Sequence, residues 1–492
     1  MSAAGPGPRK LVLAVIDALA PEALEEAIAA DRAPTLARLM RDGHYAPDCV
    51  STFPSVTPVA ASAITTGLGP AGHLIPSMNW YHRGEERYVE YGSSFSASRA
   101  HGVFRSLQDT VYNMNLAHLT QADRTVFEHL DDAGLRTACT TYLIYRGRHR
   151  HEPSRDSPYV RLAEAAQFRH PVWGARELFY ADLFDTRNTG CSSTLGMPGQ
   201  RDRHAACVGE RLVADDLFDF LLFSLPDNDS YSHREGPAAQ PESIAEADRA
   251  LARLMDAGGG ADAFLAEHAV IVMSDHSHDR VEAATNLSGA LDGWRVLEPV
   301  DLDPESAQLA VCPASRSAQV YVLDGEDREA VAARVSGDLE DVDGVDLVGR
   351  LEAGRAVVST PRGELRFAPG EGATDERGNG WDVDGDMPAL DLFVSGGEVG
   401  YGVYPDALRR LWSALTCERA GDLVLSAEPG YEFTDWGGAD HVGGGSHGSL
   451  HECDSLGVLL TCGVGPPRRE DGARWSIEDV TPMVLDHFGA GA

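Results

Sequence analysis

Apolar runs without polar alternation constrain this chain more than any other feature. They are Leu11-Val-Leu-Ala-Val-Ile16, Asp219-Phe-Leu-Leu-Phe-Ser224, Ala269-Val-Ile-Val-Met-Ser274 and Leu456-Gly-Val-Leu-Leu-Thr461. A short run with no wet side fits a strand buried on both faces, and such strands belong to sheets covered by helices above and below. The intervening segments read as those helices. Pro21-Glu-Ala-Leu-Glu-Glu opens with proline and an acidic first turn, while Pro34–Asp42 and Thr125–Ala133 each run into a glycine. Arg136–Ile144 reads as a further strand. The predicted class is therefore α/β, with a mostly parallel sheet sandwiched by helices.

In such sheets ligands gather beyond the carboxyl ends of the strands, where loops from neighbouring strands converge. The residues that follow the runs carry that chemistry: Asp17, then Asp229-Ser-Tyr-Ser-His233, then Asp275-His276. His447 joins them from the glycine-rich Gly443-Gly-Gly-Ser-His447-Gly loop. An Asp and a His four residues apart reach one ion if the turn is tight. Oxygen and nitrogen donors without thiolate suit two divalent ions of the zinc or manganese kind. Asp227 competes with Asp229 for this role, and His441 with His447.

The segment Phe53-Pro-Ser-Val-Thr57-Pro leads into the small-residue helix pattern that ends at Gly67. A lone threonine before a helix is usually an N-cap. In the company of the acids and histidines, Thr57 becomes a candidate nucleophile. The Arg146-Gly-Arg-His-Arg-His151 cluster is either a solvated face or a contact for an anionic substrate group.

The texture changes near residue 301. Gln319–Leu323, Arg328–Val335, Gly344–Val348 and Arg355–Ser359 read as a small α+β insertion, or cap, over residues 301–429. Its Gly370–Gly385 run reads as a mobile loop. Residues 1–300 and 430–492 form the expected core, with Asp422–Ser426 already marking its return.

Composition excludes several classes. A formal charge of −35 argues against nucleic acid or an anionic membrane as partner. The eight cysteines contain no C-x-x-C pair and read as buried thiols. No run approaches the ~20 apolar residues of a membrane span. Leu11–Ile16 ends in Asp17 without a cleavage pattern, so a cytoplasmic protein is expected. The sequence sets no oligomeric state.

Taken in order, Val15-Ile-Asp17, Phe53-Pro-Ser-Val-Thr57-Pro, Thr66-Gly67, Asp229-x-x-x-His233, Ser274-Asp275-His276 and Ser446-His447-Gly448 resemble the alkaline phosphatase superfamily. Within it, the likeness is to the nucleotide pyrophosphatase/phosphodiesterase branch. The resemblance covers roughly residues 10–285 and 430–490 and implies an alkaline-phosphatase-like core with two metals about 4 Å apart. It places Asp17, Thr57, Asp275 and His276 on one metal, and Asp229, His233 and His447 on the other. It implies a phospho-threonyl intermediate on Thr57, with Asn79 donating to a non-bridging phosphoryl oxygen.

The implied substrate is a small phosphodiester or nucleotide pyrophosphate. Phosphonoacetate-type carbon–phosphorus cleavage and phosphomonoester hydrolysis are the enzymatic alternatives. Sulfatase chemistry is disfavoured, because Thr57-Pro-Val-Ala-Ala lacks both the modifiable Cys or Ser and the arginine. A metal-binding pseudoenzyme or binding module is the alternative of another class.

Overall fold

A computed structural model of the chain describes residues 8–154, 170–299, 306–323, 325, 327–465, 469 and 472–491. Its first sheet has eight strands in the order His44–Val50, Leu456–Cys462, His268–Met273, Lys10–Ile16, Phe220–Leu225, Thr137–Cys139, Glu177–Tyr180 and Phe184–Asp185. The strands from His268–Met273 to Glu177–Tyr180 run parallel, and the remaining pairings are antiparallel.

The first strand shows why its sequence does not alternate. Leu11, Leu13 and Val15 enter one hydrophobic cluster, while Val12, Ala14 and Ile16 enter another on the opposite face. Successive side chains point to opposite sides of a strand, and here both sides are covered. Helices Thr57–Thr66, Val126–Asp132 and Val480–Phe488 cover one face. Pro21–Ala29, Arg201–Ala214 and Gln240–Ala257 cover the other. Each fully buried Leu, Ile or Val adds about 1.5–3 kcal/mol, so a strand buried on both sides anchors whatever follows its last residue.

A second sheet of nine strands lies between Leu309 and Ala427, flanked by helices Arg328–Glu340 and Ala407–Leu415. It lies within the span expected for the insertion and is almost wholly antiparallel. The boundary expected near residue 301 falls outside the described residues. Two expectations need correction. Leu423–Ala427 does not return to the first sheet; it pairs inside the second, between Ser317–Val322 and Val345–Glu352. An apolar run identifies a strand but not its partners.

The Gly370–Gly385 run is not an open loop either. Strands Gly363–Thr374 and Gly380–Gly385 pair through it as a hairpin. Asp375 closes the turn, its Oδ1 accepting from the amides of Arg377 and Asn379 at 2.9 Å each, and its Oδ2 from Trp381 Nε1 at 2.8 Å.

The cysteine reading is also corrected. Cys191 and Cys207 form a disulfide across a separation of 16 residues, tying a loop onto helix Arg201–Ala214. Cys49, Cys139, Cys312, Cys417, Cys453 and Cys462 are free. No helix among the described residues is long and apolar enough to cross a membrane.

Candidate metal centre and nucleophile

Asp17 follows the first strand, Asp275 and His276 follow His268–Met273, and the helix carrying Asp229 and His233 starts two residues after Phe220–Leu225. These strands are neighbours, so their carboxyl ends deliver the side chains to one place. Asp17 caps no helix, since the next one begins at Pro21 behind Ala20.

Thr57 is the first residue of helix Thr57–Thr66 rather than its cap, which is Val56. Every residue from Pro58 to Thr66 is buried. Ser62, Thr65 and Thr66 return their hydroxyls to carbonyls four residues back, so these polar side chains fit a buried helix without orphaned groups. Thr57 alone keeps its hydroxyl at the half-buried tip, 3.2 Å from His276 Nε2. A helix N-terminus favours negative charge.

The polar side chains form two clusters. In one, His276 Nε2 lies 3.6 Å from Asp17 Oδ1 and 3.4 Å from Asp275 Oδ2. In the other, Asp229 Oδ1 lies 3.3 Å from His233 Nε2 and 3.8 Å from His447 Nε2. Within each cluster the donor atoms lie within 4.8 Å of one another. The clusters touch where His276 stacks on His447, with ring centroids 3.7 Å apart.

The histidine tautomers are preset for cation binding. His233 Nδ1 meets the Gly445 carbonyl at 2.8 Å, His447 Nδ1 the Ser55 carbonyl at 2.8 Å, and His276 Nδ1 the Ser277 carbonyl at 3.2 Å. A carbonyl only accepts, so each Nδ1 carries a proton and each Nε2 points into its cluster; on His233, which Asp229 pushes towards the charged form, a cation would displace the second proton. Asp17 Oδ1 is buried without a hydrogen-bond partner. This donor set fits two divalent cations.

The electrostatics agree. Burial, then the carboxylates of Asp275 and Asp229, push the Asp17 carboxyl well above its ordinary range. Burial also acts to raise Asp229, but the charges and hydrogen bonds of His233 and His278 outweigh it and hold that carboxyl well below. Burial, reinforced by the neighbouring histidines, keeps His447 neutral. Facing acids with no cation between them are unfavourable, and a bound divalent ion removes that penalty.

His278 is the site residue that sequence reasoning missed. Its Nε2 lies 3.0 Å from Asp229 Oδ1, while its buried Nδ1 has no partner. His278 also belongs to the same set of donor atoms within 4.8 Å; with Nδ1 unpartnered, its Nε2 donates to the Asp229 carboxylate and orients it. The signal was a second histidine two residues after His276, which an extended segment turns to the same side.

Asp227 and His441 lie outside both clusters. Asp227 is engaged by Gly199 N, Arg201 Nε and Asp202 N, fixing the start of helix Arg201–Ala214. His441 stands outside the clusters, stacked on His233 at 4.2 Å and held by Glu432 at 3.0 Å.

Neither expected substrate contact joins the clusters. Asn79 is fully buried, with Nδ2 donating to the Pro313 carbonyl at 2.6 Å and Oδ1 unpartnered. That carbonyl fixes the amide with its oxygen, an acceptor, as the free atom. Arg146 is spent on Glu128 and the carbonyls of Thr120 and Asp123.

The fold and these clusters define an α/β protein with a candidate metal centre beside a threonine hydroxyl. The chain belongs to the type I phosphodiesterase / nucleotide pyrophosphatase family, whose profile matches residues 11–450. Phosphonoacetate hydrolase from Sinorhizobium meliloti, in complex with phosphonoformate, shares the fold with TM-score 0.56 at 17% identity, covering 99% of this chain and 97% of that one. Human ectonucleotide pyrophosphatase / phosphodiesterase 5 matches with TM-score 0.55 at 13% identity, covering 98% and 96%. An inactive threonine-to-alanine variant of the murine protein, in complex with AMP, matches with TM-score 0.54 at 13% identity over the same shares. No curated protein sequence matches the chain.

Proposed function

We propose that this hydrolase cleaves a phosphodiester or nucleotide pyrophosphate bond by attack of Thr57 Oγ1 on phosphorus. The new Oγ–P bond forms as the bond to the leaving oxygen breaks. Water then resolves the phospho-threonine and regenerates the hydroxyl. The observation carrying this reading is the Thr57 hydroxyl itself, at a helix N-terminus and 3.2 Å from His276 Nε2, beside two stacked clusters. Asp17, Thr57, Asp275 and His276 would hold one cation, and Asp229, His233 and His447 the other. When bound, these cations supply Lewis-acid activation and neutralise charge on the phosphoryl oxygens. Oxygen and nitrogen donors favour zinc, with manganese as the second choice. The murine relative rendered inactive by loss of a threonine supports the nucleophile by analogy.

Charge favours a diester over a monoester or phosphonoacetate. Lys10, the only lysine of the sequence, sits at the amino end of its strand, opposite the clusters. Arg146 and Arg201 are engaged by protein groups. A phosphodiester carries a single negative charge and asks least of such a site. The disulfide favours an oxidising compartment over the cytoplasm expected from the sequence.

The test is turnover of an aryl phosphodiester, an aryl monoester and phosphonoacetate, with and without chelator. The diester should lead and chelation should abolish it. Chelator-resistant activity would sink the proposal. Two bound metals with no hydrolysis across the panel would favour a pseudoenzyme.

A further inference from the structure

Arg316 lies in the turn between strands Leu309–Ala314 and Ser317–Val322 of the second sheet, and its side chain is fully buried. It reaches out of that sheet into the ligand loops of the first. Nη1 lies 3.1 Å from Asp279 Oδ2 and 3.3 Å from Asp454 Oδ2. Nε and Nη2 donate to the carbonyls of Tyr431 and Glu428 at 3.0 Å each. The backbone amide of Arg316 donates to the His447 carbonyl at 2.8 Å.

Both acids belong to segments that carry ligands. Asp279 follows His278 directly and pairs with Ser446, the residue before His447. Asp454 accepts from Ser449 N at 2.8 Å, and its carbonyl takes the amide of Ser277 at 3.1 Å. The approach is close enough to require glycine at 448: its φ is +122°, and a Cβ there would stand 3.2 Å from Ala314 O, Arg316 N and Ser317 N.

We propose that Arg316 is a positioning residue that sets the spacing of the two clusters by clamping segment 275–279 to segment 446–455. The second sheet thereby completes the metal centre instead of merely covering it. This rests on the dinuclear reading above, but it concerns metal geometry and is testable without substrate.

The experiment titrates metal-free protein with cobalt(II) and follows the visible absorption bands. Arg316→Met and Arg316→Lys should weaken one of the two cobalt ions about 10- to 100-fold, as loss of an outer partner does, and change the band shape. Asp279→Asn removes one arm at constant size and should shift the same ion; it decides the matter if the Arg316 variants fail to fold. Arg350→Met is the control, because Arg350 is buried but bonds only within the second-sheet region, to Ser336, Ser359, Glu352 and Glu364.

Wild-type isotherms and spectra in a folded Arg316→Met or in Asp279→Asn would overturn the proposal. So would an equal shift in Arg350→Met. A wild-type protein that binds two cobalt ions yet hydrolyses nothing would defeat the hydrolase reading and leave this one standing.

Discussion

The two sheets treat their acids in opposite ways. In the second, Asp346 pairs with Arg362 at 2.9 Å, and Glu352 and Glu364 share Arg350 and Arg366. At the strand ends of the first, Asp17 faces Asp275 and Asp229, and Asp229 is met by histidines alone. Paired acids stabilise a framework. Asp17, buried against two other acids, opposes folding in its charged form, which marks that edge as the working one.

The sharpest way to break this comparison is Thr57→Ala. Turnover of the aryl phosphodiester should fall a thousandfold or more, by analogy with other lost nucleophiles of about that weight. Metal analysis should still find both ions, because Asp17, Asp275 and His276 remain. Loss of both would show that the hydroxyl is structural.

Asp229→Asn should come next. Removing a direct ligand should cost more than the ~10–100-fold in affinity of an outer partner, and one equivalent of metal should be missing by elemental analysis. Retention of two tightly held ions would reassign the second cluster.

Stability should then separate the two regions. Saturating metal at 100 times its dissociation constant adds about 2.7 kcal/mol, read as a rise in Tm that chelator reverses. In metal-free protein the raised Asp17 carboxyl contributes stability that is full below the unfolded value of about 4 and is lost as pH rises through its folded pKa. Asp17→Asn should flatten that decline and abolish the metal-dependent rise. A metal-free Tm independent of pH above 4 in the wild type would contradict the repulsion described for Asp17.

The smallest effect belongs to the second sheet. Arg362→Met leaves buried Asp346 with Tyr404, whose hydroxyl bonds it at 2.7 Å. Half-exposure of the arginine limits the cost to about 1–2 kcal/mol. Denaturant midpoints should record that loss while cobalt binding stays unchanged.

Much of this organisation was legible in the sequence because a strand buried on both faces announces itself. Leu11–Ile16 and Ala269–Met273 could hardly be anything else, and the acids after them follow from strand polarity. Pairing was less legible. Leu423–Ala427 looks like its counterparts in the first sheet, and only its hydrogen-bonded neighbours say otherwise. The Cys191–Cys207 bond carries no spacing signature. His278 hid beside a stronger motif, while Arg146 looked available because sequence does not reveal that Glu128 and two carbonyls already hold it.

The bond between His447 Nδ1 and the Ser55 carbonyl spans 392 residues, and it has a consequence for biogenesis. A nascent chain that has released residue 276 already owns the candidate ligands Asp17, Asp275 and His276. At ribosomal speed it must wait roughly 10–35 s before residue 447 emerges. Meanwhile Leu456–Cys462, the strand that separates His44–Val50 from His268–Met273, is also missing, so one edge of the growing sheet stands open. On the proposed reading the two cations would then load in sequence, the Asp17 cluster before the His447 cluster.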